Sequence, residues 1–339
     1  MRAWQYTSTA GGLEKNLFLK DDVPVPTLSP RRGASEVLIE VVSATLNPAD
    51  YKVPEMGALV RATMIPTPAT PGLDFCGRVV RATAGVGDRA RVGELVFGRI
   101  DPTQHGTMAP YVVAPAQACA VAPAGLAPDA AATLGVAGMT AYQAVAPHVK
   151  AGDRVFVNGG AGGVGTLALQ IAKALGCHVT ASCSAAKADL CRRLGADELI
   201  DYGAADVAQV LRDGGPTFAL VVDSAGADPR LYKAADAALL PAGRYIQIGV
   251  VPSFASAMNL VSRFLRPAFL GGGKHKFAFM TVHHAPEHLE QMARWLVDGK
   301  IQPVVEETFA YEDLPKAIAK SKTGRCAGKL VIHVGEAEA

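Results

Sequence analysis

The architecture of this chain follows from residues 155–165, Val155-Phe156-Val157-Asn158-Gly159-Gly160-Ala161-Gly162-Gly163-Val164-Gly165. The apolar start predicts a buried strand, and the Ala- and Leu-rich residues after it predict a helix. Between them, Gly-x-Gly-x-x-Gly permits a tight turn, a close approach of the backbone to a pyrophosphate, and close seating of the helix on the strand. We therefore predict a dinucleotide site, with a ligand-free glycine-rich turn as the alternative. The predicted contacts are Gly160, Ala161, Gly162, Gly163, Val164 and Gly165.

The residues after this motif repeat the alternation of strand and helix. Cys177–Ser182 is predicted as the next strand. Phe218–Asp223 and Tyr245–Ile248 are uncharged until their ends, as expected for strands covered on both faces. Helical segments lie between them. The pattern predicts an α/β fold, a Rossmann domain with a doubly wound parallel sheet, over residues 127–282.

The remaining residues have a different sequence pattern. Residues 1–126 contain short β-branched runs, such as Val37–Val42 and Tyr111–Val113, separated by Pro and Gly. They predict a compact, barrel-like β domain. Residues 283–339 are too few for a domain of their own, so we expect them to complete the N-terminal one.

Composition excludes several classes of protein. The 339 residues include 33 basic and 31 acidic side chains, a net charge of +2, without long runs of either sign. This balance gives no electrostatic case for nucleic acid or an anionic membrane surface. No apolar run is long enough for a transmembrane helix, and the N-terminus resembles neither a signal peptide nor a presequence, so we expect a cytoplasmic protein. The scattered cysteines fit a reducing compartment.

The choice of cofactor is expected at the end of the second strand, where an NAD-specific site carries an Asp or Glu. This chain has Ser182–Lys187 (SCSAAK) there, without an acid. Hydroxyls and a lysine suit a 2′-phosphate, which needs donors and positive charge. The segment predicts NADPH, held by Ser182, Ser184 and Lys187, although Lys187 also fits a solvated helix position. Three residues after the fifth strand are expected beneath the nicotinamide: Ile248, Gly249 and Val250.

Several motifs occur in order along nearly the whole chain: Leu46–Lys52 (LNPADYK), Pro71–Gly77 (PGLDFCG), Val136–Ala141 (VAGMTA), Ala161–Gly165 (AGGVG), Leu194–Glu198 (LGADE), Asp201-Tyr202, and Ala327–Leu330 (AGKL). Together they resemble the medium-chain dehydrogenase/reductase superfamily, in its quinone oxidoreductase branch. The form Asn-Pro-x-Asp-aromatic-Lys is most similar to plant chloroplast-envelope quinone oxidoreductases and to fungal stand-alone enoyl reductases that serve polyketide synthases.

The resemblance implies a GroES-like barrel in addition to the Rossmann domain. It implies that Tyr202 lies near the 2′-phosphate and that Lys52 lies near the nicotinamide ribose. It also implies cofactor contacts at Gly328 and Lys329. Thr140 would face the nicotinamide carboxamide, although it also fits a helix residue bonded to the preceding turn.

Zinc is not expected. Zinc alcohol dehydrogenases of this superfamily carry a Cys ligand in the first loop, Gly-His-Glu in the second, and a four-Cys lobe. Here the first loop has Asn47, the second has Leu73-Asp74, and the lobe is missing. Zinc prefers thiolate and imidazole ligands, which these positions do not supply. His283, His284 and His288 form an apparent cluster, which we interpret as solvated or capping residues.

Without a Lewis acid, hydride addition to a conjugated carbon is easier than oxidation of an alcohol. An enone, enoyl thioester or quinone spreads the resulting charge onto an oxygen, which a hydrogen bond can stabilise. The candidate catalytic residues are Asn47, Asp50, Tyr51, Lys52 and Thr140. Tyr51 or Lys52 would stabilise the enolate or supply a proton, whereas Asp50 fits a strand end or a helix cap equally well.

The sequence thus predicts a zinc-independent, NADPH-dependent reductase. An NADPH-binding protein without turnover is one alternative, and a zinc alcohol dehydrogenase is a disfavoured second one. The small-molecule substrate is left open, as is a polyketide synthase partner. Leu265–Leu270, together with Met64 and Ile65, would shape an apolar substrate pocket, with a surface loop and a dimer contact as equal alternatives. An edge strand near Lys276–Met280 makes pairing in a homodimer a further option.

Overall fold

The computed structural model describes residues 1–29, 31, 33–57, 63–65, 67–87, 89–104, 106–226, 228–248 and 275–335. The strands are β1 (Ala3–Gln5), β2 (Phe18–Lys20), β3 (Glu36–Thr45), β4 (Asp74–Ala82), β5 (Leu95–Arg99), β6 (Tyr111–Pro115), β7 (Cys119–Val121), β8 (Arg154–Asn158), β9 (His178–Cys183), β10 (Glu198–Asp201), β11 (Phe218–Asp223), β12 (Leu239–Gln247), β13 (Lys276–Phe279), β14 (Val305–Ala310) and β15 (Lys329–His333). The α-helices are α1 (Pro48–Glu55), α2 (Pro128–Ala132), α3 (Met139–Val145), α4 (Gly163–Ala174), α5 (Ala188–Arg193), α6 (Val207–Asp213), α7 (Pro229–Ala238), α8 (Pro286–Val297) and α9 (Leu314–Lys322).

The chain forms two compact units, one of residues 1–139, 283–299 and 303–339, the other of residues 140–282 and 300–302. We predicted two domains, one of residues 1–126 and 283–339 and the other of residues 127–282. These domain boundaries stay a prediction. None of the described helices is long and apolar enough to cross a membrane.

The unit of residues 140–282 and 300–302 contains a six-stranded parallel sheet in the order β10-β9-β8-β11-β12-β13. Counted from β8, this is the order 3-2-1-4-5-6 of a Rossmann fold, so the predicted doubly wound sheet is confirmed. Phe156, Val221 and Tyr245 on the strands pack with Leu231 and Ala235 on α7 in a common core. The winding direction changes at β8, where such sheets bind ligands at the carboxyl ends of their strands.

The other unit contains a seven-stranded sheet in the order β14-β15-β3-β4-β5-β7, with β6 also paired to β3. Its neighbours are antiparallel except for β14 and β15. Ile39, Phe75, Val96 and Ile332 contribute to its core. Because β15 pairs with β3, the C-terminal residues complete the N-terminal sheet.

Candidate active site

The glycine-rich loop lies between β8 and α4 at the carboxyl edge of the parallel sheet. The Gly160 amide donates to the Ser182 carbonyl at 2.8 Å, and the Gly162 amide donates to the Gly159 carbonyl at 3.1 Å. Gly159 has φ +80°, and a Cβ added at Gly165 would overlap the Gly159 carbonyl oxygen. Gly159 and Gly165 are therefore required by the packing of the loop on itself.

Gly162 differs, because the described residues give no conformational or steric reason for a glycine there. Its φ is −78°, and the nearest described atom to an added Cβ would be the Gly159 carbonyl oxygen at 3.6 Å. Gly163 and Val164 follow in the first turn of α4, where amides have no acceptor within the helix. These amides and the helix dipole attract an anion, and the missing side chain at Gly162 leaves room for it. The loop fits a dinucleotide pyrophosphate, with Ala161 buried against the protein.

A hydrogen-bond network joins four strands beneath this loop. The Ser182 hydroxyl accepts from the Gly159 amide at 3.0 Å and donates to the Asn158 side-chain oxygen at 2.5 Å. The Asn158 side-chain amide donates to the Asp223 carboxylate at 2.8 Å, and the Tyr245 hydroxyl donates to the same carboxylate at 2.6 Å. The network fixes the end of β8, from which the loop starts. Sequence reasoning missed Asn158, Asp223 and Tyr245, which belong to no local motif for such a role.

The placement of Ser182 does not favour its predicted role as a phosphate contact, which stays a prediction. The residue is fully withdrawn from solvent, and its hydroxyl is bonded on both sides within the network. A direct contact with a 2′-phosphate would require this hydroxyl at the surface. Ser182 instead supports the loop from below.

The other residues predicted for the 2′-phosphate lie together. Ser184 directly follows β9, and the Lys187 amide donates to the Ser184 carbonyl at 2.9 Å. Asp201 is opposite Cys183 in the parallel pairing of β10 with β9, and the Tyr202 amide donates to the Cys183 carbonyl at 3.2 Å. Tyr202 is 59% exposed, and Ser184 and Lys187 are partly exposed. A hydroxyl, an ammonium and a phenol thus share one accessible edge, a chemistry that suits a phosphate.

The predicted nicotinamide contacts are described only in part. Ile248 follows β12, and its amide donates to the Asp223 carbonyl at 2.8 Å. Thr140 is buried on α3. Gly249 and Val250 lie outside the described residues, as does Leu265–Leu270.

A second group of polar side chains is buried in the other unit, around Asp74 at the start of β4. Its Oδ2 accepts from the Thr45 hydroxyl at 2.7 Å, the Asn47 side-chain amide at 2.7 Å and the Lys329 ammonium at 3.1 Å. Its Oδ1 accepts from the Val136 amide at 2.6 Å. The Lys329 ammonium also donates to the Asn47 side-chain oxygen at 2.5 Å. We call these side chains, Thr45, Asn47, Asp74 and Lys329, the ammonium cluster.

The ammonium cluster includes the loop positions that carry zinc ligands in zinc-dependent members of the superfamily that the sequence resembles. Its Asn47 amide binds an ammonium and its Asp74 carboxylate is satisfied on both oxygens, so neither is the thiolate or imidazole ligand that zinc prefers. The Lys329 charge would also repel a metal cation. This donor set does not fit zinc, and the described ranges contain no group of three His, Cys, Asp or Glu side chains that could hold a metal ion.

The three neighbouring histidines make other contacts. His284 Nε2 lies 3.1 Å from Asp101 Oδ2, and the His283 and His288 rings meet edge to face with centroids 6.2 Å apart. Burial lowers the pKa of His288.

Asp50 closes the N-terminus of α1. Its Oδ2 accepts from the Asn47 main-chain amide at 2.6 Å. This is the helix cap that the sequence analysis gave as a structural alternative to a catalytic role. Its Oδ1 is buried without a hydrogen-bond partner among the described residues. Burial, together with the Asp74 charge, raises the pKa of the Asp50 carboxyl to about 8, against opposing effects of the Asn47 hydrogen bond and the Lys329 charge. The carboxyl therefore carries a proton at neutral pH.

Tyr51 and Lys52 are neighbours with different surroundings. Tyr51 is only 7% exposed, burial raises the pKa of its hydroxyl, and the Lys322 ammonium lies 5.6 Å from the centre of its ring. This burial beside α9 gives Tyr51 a packing role, and its predicted role as proton donor stays a prediction. Lys52 is partly exposed and makes no ion pair within the described part of the chain, and burial lowers the pKa of its ammonium.

Gly328 and Lys329 are explained by the fold. Gly328 has φ +71°, and an added Cβ would overlap the Val304 carbonyl oxygen, to which the Lys329 amide donates at 2.8 Å. The Lys329 side chain is buried in the ammonium cluster. This placement does not favour the predicted cofactor contacts, which stay predictions.

Comparison with known proteins gives matches along most of the chain. The family model "Alcohol dehydrogenase GroES-like domain" matches residues 33–124, and "Zinc-binding dehydrogenase" matches residues 194–332. A trans-enoyl reductase of Aspergillus terreus is 41% identical over 348 residues, which cover 99% of this chain and 97% of that protein.

Two solved structures show the same architecture. The quinone oxidoreductase from Coxiella burnetii has a TM-score of 0.84 at 27% identity and covers 99% of both chains. A mycobacterial protein in complex with NADPH has a TM-score of 0.77 at 25% identity and covers 98% of this chain and 99% of its own. The predicted combination of a parallel α/β sheet and a GroES-like domain is confirmed.

Proposed function

Since the chain belongs to the medium-chain dehydrogenase/reductase superfamily, we propose that it is a reductase that uses NADPH, without zinc, to reduce an activated carbon–carbon double bond or a quinone. Its family binds a nicotinamide cofactor, and the chain is an oxidoreductase. The ammonium cluster is the observation that carries the finer proposal, because its residues are engaged with one another in positions that would otherwise hold a metal.

A reaction without a Lewis acid needs an acceptor that is already activated. Enones, enoyl thioesters and quinones meet this requirement, because a hydride added to the conjugated system leaves charge on an oxygen. NADPH, when bound, supplies the hydride. The chain must orient the acceptor, stabilise the charge on that oxygen and allow a proton to reach the product.

Lys52 is the residue we propose for a contact with the substrate oxygen or the cofactor ribose. It is a partly buried cation whose charge no carboxylate among the described residues neutralises. Asp50, two residues earlier on α1, holds a proton at neutral pH. Asn47 belongs to the ammonium cluster and positions the start of this helix, and Thr140 is kept as a candidate near the nicotinamide.

The preference for NADPH is part of the proposal. Ser184, Lys187 and Tyr202 lie on one accessible edge, and β9 ends in Cys183 in place of the acid expected for NADH. The amides at the start of α4 would hold the pyrophosphate. That one structural relative was solved with NADPH supports the same choice.

We further propose an enoyl thioester as the substrate class and a polyketide synthase as the partner that presents it. The support is the 41% identity to a trans-enoyl reductase over nearly the full length of both chains. A homodimer paired through β13, the edge of the parallel sheet, and a cytoplasmic location also belong to the proposal.

The test is consumption of NADPH by purified, chelator-treated protein with a panel of enoyl thioesters, enones and quinones, paired with NADH. We expect turnover that survives chelation and prefers NADPH. Lys52→Met should lower kcat/KM by about tenfold or more, whereas Tyr51→Phe, which removes one hydroxyl beside it, should retain most of the activity. NADPH binding without reduction of any acceptor would favour a binding protein, and activity that requires added zinc would contradict the proposal.

A further inference from the structure

Asp223 is a buried carboxylate that no cation neutralises in the described part of the chain. It is 1% exposed and accepts hydrogen bonds from the Asn158 side-chain amide at 2.8 Å, the Tyr245 hydroxyl at 2.6 Å and the Gly226 amide at 2.9 Å. All three donors are neutral. The other carboxylate with comparable burial and bonding, Asp74, has the Lys329 ammonium beside it.

The hydrogen bonds around Asp223 match the acceptor atoms of a carboxylate. An ionised carboxyl group only accepts hydrogen bonds, and here each of three neighbouring groups directs a donor at it. A buried charge without a counter-ion is unfavourable in general, and a neutral polar side chain would avoid that cost. A carboxylate at this position is explained if a positive charge arises nearby during function.

Asp223 lies where the proposed cofactor could supply such a charge. It ends β11, between β8 and β12, at the edge where parallel sheets of this topology bind their ligands. Its main-chain oxygen accepts from Ile248, which is predicted to lie beneath the nicotinamide. Loss of a hydride turns a neutral dihydronicotinamide into a cation: the two electrons and the hydrogen go to the acceptor carbon, and one positive charge remains in the ring.

We propose that the Asp223 carboxylate acts through space to stabilise the oxidised, cationic cofactor over the reduced, neutral one, and so makes bound NADPH a stronger hydride donor. Asp223 is a positioning residue in this account, because no contact with the ring is required. The inference rests on the proposed use of NADPH. The inference goes beyond the proposed function because it states which way the protein shifts the equilibrium of the bound cofactor, namely towards release of the hydride.

The test compares dissociation constants for NADP⁺ and NADPH, measured by calorimetry. Unit charges roughly 10–12 Å apart at an effective dielectric of about 20 change an equilibrium by about tenfold. Asp223→Asn, nearly isosteric but neutral, should therefore weaken NADP⁺ relative to NADPH by about tenfold. Tyr245→Phe removes a hydrogen bond from the same carboxylate but keeps its charge, so this control should retain the wild-type ratio within about twofold.

The ratio separates charge from structural damage, because damage to the loop weakens both nucleotides together. An unchanged ratio in Asp223→Asn, with both nucleotides still bound, would overturn the inference and leave the proposed function standing. Failure of the wild-type protein to bind either nucleotide would overturn the proposed function itself. If Asp223→Asn does not fold, a double variant that exchanges the two residues, Asn158→Asp with Asp223→Asn, replaces it. This exchange variant keeps both the hydrogen-bonded pair and its negative charge, so it should keep the wild-type ratio. Loss of the wild-type ratio in that exchange variant would also contradict the inference.

Discussion

The Lys329 ammonium lies 3.1 Å from the Asp74 carboxylate, and the two side chains are 4% and 0% exposed. They come from β15 and β4, and 255 residues separate them in the sequence. Both also bond to Asn47, which begins α1. A buried ion pair thus anchors the helix that carries Asp50 and Lys52.

The ammonium cluster should behave as one energetic unit. Lys329→Met leaves a buried carboxylate without its cation, and Asp74→Asn leaves a buried ammonium without its anion, so each should lower the free energy of unfolding by about 3–5 kcal/mol. The double variant leaves neither charge and should lose clearly less than the sum. Urea unfolding of the four proteins measures this cycle. Additive losses would mean that the pair is not coupled.

The stability of the protein should fall with rising pH because of Asp50. The pKa of its carboxyl is about 8 in the folded protein, above the ordinary value of 3.8. At a pH between these two pKa values, the unfolded chain has lost a proton that the folded chain keeps. Asp50 therefore contributes stability that is fully present below the pKa of the unfolded chain and is lost as the pH rises through the pKa of the folded protein.

Asp50→Asn removes this titration and keeps an acceptor for the Asn47 amide. Between about pH 5 and pH 8, the free energy of unfolding of this variant should change less with pH than that of wild type. The two slopes should differ by up to about 1.4 kcal/mol per pH unit. Urea unfolding at several pH values gives the two curves. Parallel curves would show that Asp50 is ionised in the folded protein.

Two glycines of one loop should respond oppositely to alanine. Gly162→Ala should leave the free energy of unfolding within about 0.5 kcal/mol of wild type, because its φ is ordinary and the space is open. Its affinity for NADPH should fall by about tenfold or more, since the methyl group occupies ligand space. Gly165→Ala should instead lower stability by about 2 kcal/mol or more, because the methyl group overlaps the Gly159 carbonyl. Thermal unfolding and calorimetry distinguish them, and a Gly162→Ala protein that binds NADPH normally would refute the proposed phosphate site.

Cofactor preference should depend on Lys187. Lys187→Ala removes a cation from the edge that holds Ser184 and Tyr202, so kcat/KM for NADPH should fall by about tenfold while that for NADH stays nearly unchanged. Lys316→Ala, on the exposed face of α9 in the other unit, is the matched control. An equal loss with both nucleotides would point to a structural role for Lys187.

The fold could be predicted because its determinants are local. Residues 155–165 combine a buried strand, a glycine turn and a helix start within one short segment, and the alternation after it repeats the same signals. Ser184 and Lys187 could be predicted for a similar reason, since they directly follow the second strand of the motif. Tyr202 was predicted only through the family resemblance, and the pairing of β10 with β9 brings it to the same edge.

The rest depends on contacts between distant parts of the chain. Nothing around Asp74 indicates that Lys329 will face it, because that pairing follows from the position of β15 beside β3. Ser182 has the right chemistry for a phosphate, yet β9 places its hydroxyl beneath the loop. Tyr51 likewise has a suitable hydroxyl, but the residue is buried, with the Lys322 ammonium of α9 over its ring.

The central claim is direct hydride transfer from NADPH to an activated double bond without a metal ion. The most direct measurement uses NADPH in which both hydrogens at C4 of the nicotinamide are replaced by deuterium, so that the label is transferred from either face. The other components are an enoyl thioester and protein whose freedom from metal is verified by elemental analysis. Mass spectrometry of the product should find one deuterium in the saturated thioester, in the same yield with and without added zinc. Product without deuterium, or deuterium transfer only after zinc is restored, would contradict the account.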